Sequence, residues 1–305
     1  MNTTALSAFA LSAGLVAPLL GGLEIKDTEG KHLDVVSDGK VLVRYMYEHD
    51  TSSKERHHET YKPYLHVFDA EGTKPITKGA GGQFTHHRGI FIGWSKLQFN
   101  GKSYDRWHMN DGDIVHQEFL AKEAKDEEAT VTSKTHWHDE NEKPLLDEER
   151  TMRIVELNRG PVRLVIEFQS KLSASYGDVF LKGDPEHAGV QYRPANEVDK
   201  KKTKYLFPEE GIDVKKVVDL PWIAGSYVVE GKTYSVVQMN HPDNPKGTKH
   251  SAYRDYGRFG SFFEKEIKKG DSLTIKYRFV VLDGELPARE RIQRASDRYA
   301  KRGSE

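Results

Sequence analysis

The segment Leu33-Asp34-Val35-Val36-Ser37-Asp38-Gly39-Lys40-Val41-Leu42-Val43-Arg44-Tyr45 has the pattern of a β-hairpin. Two runs rich in β-branched residues flank the dipeptide Asp38-Gly39. Asp-Gly suits a type I′ turn, because both central residues of that turn need a positive φ. The segment therefore predicts two antiparallel strands joined by a tight turn.

Similar signals recur along the rest of the chain. Asn100-Gly101, Glu230-Gly231 and Lys269-Gly270 predict further turns between strands. Many strands at short spacing favour a mainly β fold, a sandwich or a barrel, over alternating β and α units. Further strands are predicted at Tyr64 to Phe68, Ile90 to Trp94, Ala129 to Thr135, Val162 to Gln169, Ser235 to Met239 and Ser272 to Val281.

One helix is predicted, near the C-terminus, where Pro287 suits a first helical turn. Its apolar stripe comprises Ala288, Ile292, Ala295 and Tyr299. The charged stretch around His57-His58 is interpreted as a loop, and residues 184–203 as a long excursion from the sheet. Because no repeat or linker interrupts the pattern, residues 24–305 are predicted to form a single domain.

Composition excludes several classes of function. The 46 basic and 47 acidic residues leave a net charge of −1, so no excess of Lys and Arg exists to neutralise nucleic-acid phosphates. The chain has no cysteine, which excludes disulfides, thiolate metal sites and cysteine nucleophiles. Nucleic acid is therefore not an expected partner.

The N-terminal segment has the character of a secretory signal. The first charged residue is Glu24, and residues 5–20 before it are mostly small and apolar. Residues 1–23 are thus predicted to be a signal peptide, which makes the protein periplasmic or secreted. No later segment approaches the length of a membrane span, so no integral membrane domain is expected.

The stretch Gln83-Phe84-Thr85-His86-His87-Arg88-Gly89 precedes the predicted strand Ile90 to Trp94. Binding and catalytic residues often lie in loops next to the ends of strands, where a rigid scaffold positions them. Imidazole can move protons or bind metal near neutral pH, and guanidinium binds carboxylates bidentately. Two imidazoles beside a guanidinium also predict that at least one histidine is neutral at pH 7.

Two further segments combine turn formers with acidic, basic and aromatic residues. One runs from Gly183 to Pro194, and the other comprises Asn240 to Pro245 with Tyr253 to Gly260. Three such loops in one β chain suggest a composite cleft, and aromatic faces with hydrogen-bonding groups are what a sugar ring needs. His136 and His138 would share one strand face and could offer two metal ligands.

The motifs of these loops, in this order, resemble a bacterial family labelled "PmoA-related" or "methane oxygenase PmoA". They are Thr85-His86-His87-Arg88-Gly89, Asp184-Pro185-Glu186-His187-Ala188-Gly189-Val190-Gln191-Tyr192-Arg193, and His241-Pro242-Asp243-Asn244-Pro245 followed by Arg254-Asp255-Tyr256-Gly257-Arg258-Phe259. The resemblance implies a large antiparallel β-sandwich, similar to the sugar-binding sandwich of galactose mutarotases. It also implies an exported protein of bacteria that degrade polysaccharides. It does not imply methane oxidation, since the membrane subunits with that activity need spanning helices.

The leading hypothesis is a carbohydrate-active enzyme, a lyase, hydrolase or epimerase acting on a sugar or oligosaccharide. A lyase or epimerase is favoured, because the paired carboxylates of a standard glycosidase are not identifiable. The predicted acid/base residues are His86, His87, Glu186 and His187. The predicted substrate-binding residues are Arg88, Trp94, Trp107, Gln191, Arg193, His241, Arg254 and Arg258.

Two alternatives use the same cleft. The first is a non-catalytic periplasmic protein that binds carbohydrate or serves as a scaffold. The second is a metalloenzyme in which His86, His87 and a third imidazole bind a divalent metal. No other cofactor is predicted, and the expected partner is a small molecule or a glycan.

Overall fold

The computed structural model describes residues 22–301, and within them the fold is mainly β. The first part of the chain forms β1 (Glu24–Thr28), β2 (His32–Ser37), β3 (Lys40–Met46), α1 (Lys54–Thr60), β4 (Tyr64–Val67), β5 (Ile90–Trp94), β6 (Lys96–Phe99), β7 (Lys102–Tyr104), β8 (Ile114–Lys125), β9 (Glu128–His138) and β10 (Pro144–Arg159). The second part forms β11 (Val162–Ser173), β12 (Val179–Lys182), β13 (Ala188–Tyr192), β14 (Lys204–Leu206), β15 (Trp222–Val229), β16 (Lys232–Asn240), β17 (Lys249–His250), β18 (Phe259–Phe262), β19 (Lys265–Ile267), β20 (Ser272–Asp283) and α2 (Arg289–Lys301), with a 3₁₀ turn at Lys200–Lys202.

These strands form three antiparallel sheets. The first sheet has eight strands in the order β1-β2-β3-β4-β5-β13-β18-β17. The second also has eight, in the order β14-β15-β16-β20-β11-β10-β9-β8, and the third has four, in the order β19-β12-β6-β7. The prediction of a mainly β antiparallel fold with few helices is confirmed.

The two large sheets pack face to face around one core. Inward residues of both sheets belong to the same buried apolar cluster, for example Val43 of the first and Ile166 of the second. Hydrogen bonds also join the sheets, since Tyr45 Oη on β3 donates to Ser133 Oγ on β9 at 3.1 Å. This is the arrangement of a β-sandwich, in which each inner face covers the other.

The hairpin from Leu33 to Tyr45 is confirmed as β2 and β3. Asp38 and Gly39 have φ values of 48° and 78°, which are the two positive values that a type I′ turn needs. Arg44 on β3 pairs across the ladder with Asp34 on β2, at 2.7 Å from Nε to Oδ1.

The C-terminal helix is confirmed at Arg289–Lys301, where Ile292 and Tyr299 are buried as the stripe predicts. The interpretation of His57-His58 as a loop is wrong, because both residues lie in α1. Ser53 caps this helix, since its Oγ accepts the Arg56 N–H at 3.1 Å. The helix has only seven residues and no apolar stripe of its own, so periodicity does not reveal it.

The interpretation of residues 184–203 as a long excursion from the sheet is wrong for residues 188–192. Residues 188–192 form the fully buried strand β13, which lies between β5 and β18 in the first sheet. The predicted signal peptide lies almost wholly outside the described residues. No helix within residues 22–301 is long and apolar enough to cross a membrane.

Candidate active site

The candidate site lies on the face of the first sheet that points away from the sandwich core. In β5, Ile90 and Ile92 belong to the main core, whereas Phe91 joins a separate cluster with Tyr64 and Trp107. Alternate side chains of a strand point to opposite faces, so Phe91 lies on the outer face. Loops and α1 cover this face, and they carry the histidines that the sequence singles out.

Two turns of identical spacing each hold a histidine against an aspartate. In the first turn Asp105 Oδ1 accepts the backbone N–H of Trp107 and His108, and Asp105 Oδ2 lies 2.8 Å from His108 Nδ1. In the second, Asp184 Oδ1 accepts the backbone N–H of Glu186 and His187, and lies 3.0 Å from His187 Nδ1. We call these the paired D-x-x-H turns.

The two turns bring their imidazoles together. The ring centroids of His108 and His187 are 5.4 Å apart. Because each Nδ1 faces a carboxylate, each ring keeps Nε2 for a ligand or a proton. Burial would raise the pKa of Asp105, but hydrogen bonds from His108 and Trp107 outweigh burial and lower that pKa. The carboxylate is thus ionised and fixes the orientation of the imidazole.

His86 lies against this pair. Its ring centroid is 4.3 Å from that of His108 and 4.4 Å from that of His87. Its Nε2 is buried without a hydrogen-bond partner. Burial and the nearby Lys62 lower the pKa of His86 to about 2, so the ring is neutral at neutral pH.

A cavity of about 370 Å³ opens beside this ring. Its walls come from α1, from the His86 loop and from the turn that carries His108. The lining residues are Lys54, His57, His58, Tyr61, Thr85, His86, His108, Met109 and Asn110.

His87 is more deeply buried than His86, with 3% of its surface exposed. Its ring packs near Phe84 and Tyr256, at centroid distances of 5.2 and 6.2 Å. Its Nδ1 has no partner. Burial, then His86 and Arg258, lower the pKa of His87, so this imidazole is neutral as well.

Buried cations surround the two neutral rings. Lys62 is 2% exposed, and its Nζ donates to the Trp107 carbonyl at 2.6 Å and lies 4.4 Å from the Phe91 ring centroid. Burial, then Arg88, lower the pKa of Lys62 well below its usual value. Lys78 is also buried, and burial with Arg88 and Arg193 lowers its pKa to about 7.

Arg88 and Arg193 are buried without carboxylate partners. Arg88 donates to the backbone carbonyls of His87 and His58 at 2.9 and 2.6 Å. Arg193 donates to the carbonyls of Pro194 and Tyr256, both at 2.8 Å. Carbonyl dipoles satisfy donors but do not neutralise a charge, so the positive charges of Arg88 and Arg193 stay uncompensated.

Arg258 and Gln191 connect the region to Glu186. Arg258 Nη1 donates to the Glu186 carbonyl, to Gln191 Oε1 and to Ser251 Oγ, each at 3.1 Å. The Glu186 carboxylate accepts bonds from Tyr253 Oη at 2.7 Å and from Arg254 Nε at 3.0 Å. Burial would raise the pKa of Glu186, but these hydrogen bonds outweigh it and lower the pKa. An ionised, bidentate-paired Glu186 is a poor proton donor.

Buried polar atoms without a hydrogen-bond partner are concentrated in this region. Such atoms are rare in folded proteins, and each one calls for a water, an ion or a ligand. They include Nε2 of His58 and His86, Nδ1 of His87, Oη of Tyr61, Nε1 of Trp107, Nε of Arg88, Arg193 and Arg258, and Nη2 of Arg258.

The structure brings together most of the predicted site residues, but not all of them. Trp94 lies in the sandwich core with no exposed surface, so its ring offers no stacking face. His241 belongs to a different cavity, beside Tyr299 and Arg278 on the second sheet. Trp107 is buried beneath His87, with ring centroids 6.3 Å apart, and Arg254 reaches the site only through Glu186.

Sequence reasoning did not select Lys62, His108 or Asp105. The signal for the turn was present, because Asp105-Arg106-Trp107-His108 repeats the spacing of Asp184-Pro185-Glu186-His187. No comparable signal exists for Lys62, whose burial depends on the packing of β4 and β5.

His86 and His87 are not part of a ready-made metal site. Among residues 22–301, one group of three potential ligands has its atoms within 4.8 Å of one another, and it comprises His49, His57 and Asp113. His136 and His138 do lie on one face of β9, with ring centroids 5.6 Å apart, and His136 lies near Asp147.

The chain belongs to a family described as a family of unknown function, DUF6807, which matches residues 32–297. That description carries no PmoA name, so the resemblance to the PmoA-related family stays a prediction. A search of curated proteins gives no match.

Two solved structures share part of the architecture. One is a candidate kojibiose phosphorylase from the human microbiome, with 8% identity and a TM-score of 0.37 over 86% of this chain and 29% of that one. The other is a GalM/aldose epimerase homologue from C. elegans, with 9% identity and a TM-score of 0.36 over 88% of this chain and 100% of that one. Likeness at this level carries no argument about ligand or reaction.

Proposed function

We propose that the chain is a carbohydrate-active enzyme that acts on an acidic sugar by proton transfer at the carbon next to a carboxylate. The observation that carries this proposal is that the buried basic side chains of Lys62, Arg88 and Arg193 lie around neutral imidazoles without carboxylate partners. An elimination (lyase) or an epimerisation fits this arrangement. The resemblance to exported proteins of polysaccharide-degrading bacteria agrees with such a substrate.

The cations would bind the substrate carboxylate. Lys62 makes one hydrogen bond, to the Trp107 carbonyl. A bound carboxylate would favour the protonated form of this amine, which has two further N–H groups to donate. Arg88 and Arg193 each keep a buried Nε without a hydrogen-bond partner. Positive charge around a carboxylate stabilises the negative charge that develops when the neighbouring carbon loses its proton.

The paired D-x-x-H turns would supply the base and the acid. One imidazole Nε2 takes the proton from the carbon next to the carboxylate. In an elimination, the other imidazole, in its protonated form, gives its proton to the departing glycosidic oxygen as the carbon–carbon double bond forms. In an epimerisation, it returns a proton to the opposite face of the same carbon. The number of protons on the two rings is conserved in both cases.

The test is a panel of oligosaccharides with and without uronic acids, incubated in heavy water. Deuterium at the carbon next to the carboxylate, or an unsaturated uronate product, supports the proposal. His108→Gln and His187→Gln should abolish either signal, whereas His136→Gln, a half-buried histidine of β9 outside the site, should not.

The outcomes separate the alternatives. Binding of acidic glycans without deuterium exchange or turnover would favour a non-catalytic carbohydrate-binding protein over an enzyme. Turnover of neutral glycans alone would overturn the role given to the cations.

Export is proposed alongside this function, because the substrate class lies outside the cell. Mass spectrometry of the protein from its native host should find a new N-terminus between about residues 17 and 24, where the hydrophobic region ends. An intact Met1 in the cytosolic fraction would contradict export.

A further inference from the structure

We propose that His49, His57 and Asp113 bind a divalent first-row transition-metal ion, such as Zn²⁺ or Fe²⁺. The ion site is separate from the proposed proton-transfer site and does not depend on it. The Nε2 atoms of His49 and His57 lie 2.9 and 2.8 Å from the same oxygen, Asp113 Oδ2. Two imidazoles and one carboxylate form a ligand set that suits these ions.

Three different elements supply the ligands. His49 follows β3, His57 lies in α1, and Asp113 precedes β8. The backbone holds two of these positions, since the His57 N–H donates to the Ser53 carbonyl at 2.9 Å and the Asp113 carbonyl accepts the His138 N–H at 2.8 Å.

An ion pair alone leaves the arrangement incomplete. Both imidazoles face Oδ2, while Asp113 Oδ1 is buried and has no hydrogen-bond partner. A metal ligand must be a deprotonated carboxylate, and two imidazoles within hydrogen-bonding distance of Oδ2 favour that form.

The spacing requires only a small adjustment to accept an ion. Bond lengths of about 2.0–2.2 Å to zinc place neighbouring ligand atoms of a tetrahedron about 3.4 Å apart. The present distances of 2.8–2.9 Å would open by roughly half an ångström. The side chains are 15–38% exposed, so the remaining coordination positions are accessible to water.

The site adjoins the imidazole cavity. His57 lines that cavity together with His86 and His108. An experiment must therefore distinguish the two histidine groups, because either of them could capture a soft divalent ion.

The test is metal binding to chelator-treated full-length protein. Zn²⁺ is titrated calorimetrically, and Co²⁺ serves as a spectroscopic probe of the ligand set. We expect one ion per chain and a loss of affinity of at least about 10²-fold in His57→Gln and in Asp113→Asn. His136→Gln is the matched control, because His136 is as exposed as His49, at 24% against 23%, and lies outside the group.

His108→Gln identifies the competing histidine group. An unchanged affinity in this variant, with the losses above, supports the site. Three results overturn it: no stoichiometric ion, equal affinity in all variants, or a loss in His108→Gln alone. If Asp113→Asn does not fold, as circular dichroism would show, His49→Gln replaces it with the same expected loss.

Discussion

Two of the regions that bury arginine compensate its charge in opposite ways. In the second sheet Arg150 is 1% exposed and pairs with Glu148, at 2.9 Å from Nε to Oε1 and 2.8 Å from Nη2 to Oε2. Trp137, Ser170 and Thr135 complete the hydrogen bonds of that carboxylate. On the outer face of the first sheet, by contrast, Arg88 has no exposed surface and its protein partners are backbone carbonyls and aromatic rings.

The difference shows where an external ligand is expected. A buried charge costs several kcal/mol unless a partner compensates it. In the Glu148–Arg150 pair each charge compensates the other, so the pair needs no ligand and has a structural role. Arg88 and Arg193 lack such a partner, and strongly perturbed groups in a cleft are typical of functional sites.

The largest expected effect comes from a substitution that breaks the Glu148–Arg150 pair. Arg150→Met leaves the Glu148 carboxylate buried without its counter-ion and should lower the free energy of unfolding by about 3–5 kcal/mol. Urea denaturation measures this change. The double variant Arg150→Met/Glu148→Gln should recover most of the loss, because no uncompensated charge remains and the glutamine oxygen can still accept the Trp137 N–H. A single variant as stable as the parent would show that water or rearrangement compensates Glu148.

The matching substitution at the other region should affect ligand binding instead. Lys62→Met removes a buried ammonium of similar length and should weaken acidic-glycan binding or turnover by about 10²–10³-fold. Its free energy of unfolding should stay the same or rise, since the cost of burying the charge disappears. Calorimetric titration and urea denaturation of the same preparation test both parts.

Lys54→Met is the control for this experiment. Lys54 lines the cavity beside His86 but is exposed, so its loss should change binding far less. A large loss of stability in Lys62→Met with unchanged binding would place Lys62 with Arg150 as a structural residue.

A smaller effect is expected from a substitution in the paired D-x-x-H turns that changes the tautomer of His108 while the shape of the turn is kept. Asp105→Asn keeps the shape of the turn but can offer an N–H to His108 Nδ1, which favours the wrong tautomer. We expect turnover to fall about 10²-fold with little change in KM. The nitrogen chemical shifts of His108 report its tautomer independently of activity. An unchanged tautomer together with unchanged turnover would remove Asp105 from the positioning role.

Local patterns in the sequence were sufficient to predict a mainly β fold and several of its strands. The Asp38-Gly39 turn and the run from Ile90 to Trp94 depend on neighbouring residues only, and both are confirmed. The short helix α1 was missed because its stability comes from the Ser53 cap and from packing rather than from periodicity. β13 was missed because Gly189 and Gln191 interrupt its apolar pattern, although every residue in it is buried.

The candidate site was predictable in part for the same reason. His86, His87 and His187 lie in loops whose residue types are typical of functional sites, and their rings lie close together in the structure, with His108 between His86 and His187. Trp94 and Lys62 show the limit of that reasoning. Whether an aromatic ring stacks or fills the core, and whether a lysine is solvated or buried, depends on contacts between β4, β5 and distant loops.

The smallest expected effect concerns a buried imidazole that is fully paired, in contrast to His86 and His87. His250 is 1% exposed, its Nε2 accepts the Leu220 N–H at 3.2 Å, and its Nδ1 lies 3.1 Å from Ser261 Oγ. Burial lowers the pKa of His250 to about 4, against an ordinary value near 6.5. The unfolded chain therefore binds a proton between these values while the folded chain does not. The stabilisation is fully present above about pH 6.5 and is lost as the pH falls toward 4. The loss for this one group is about 2 kcal/mol at pH 5.

Denaturation midpoints of the parent and of His250→Gln, measured from pH 7 to pH 5, should show a shallower loss in the variant. Glutamine can accept one bond and donate another without titrating, so parallel curves would mean that His250 is protonated in the folded protein and that its hydrogen bonds do not enforce the neutral form.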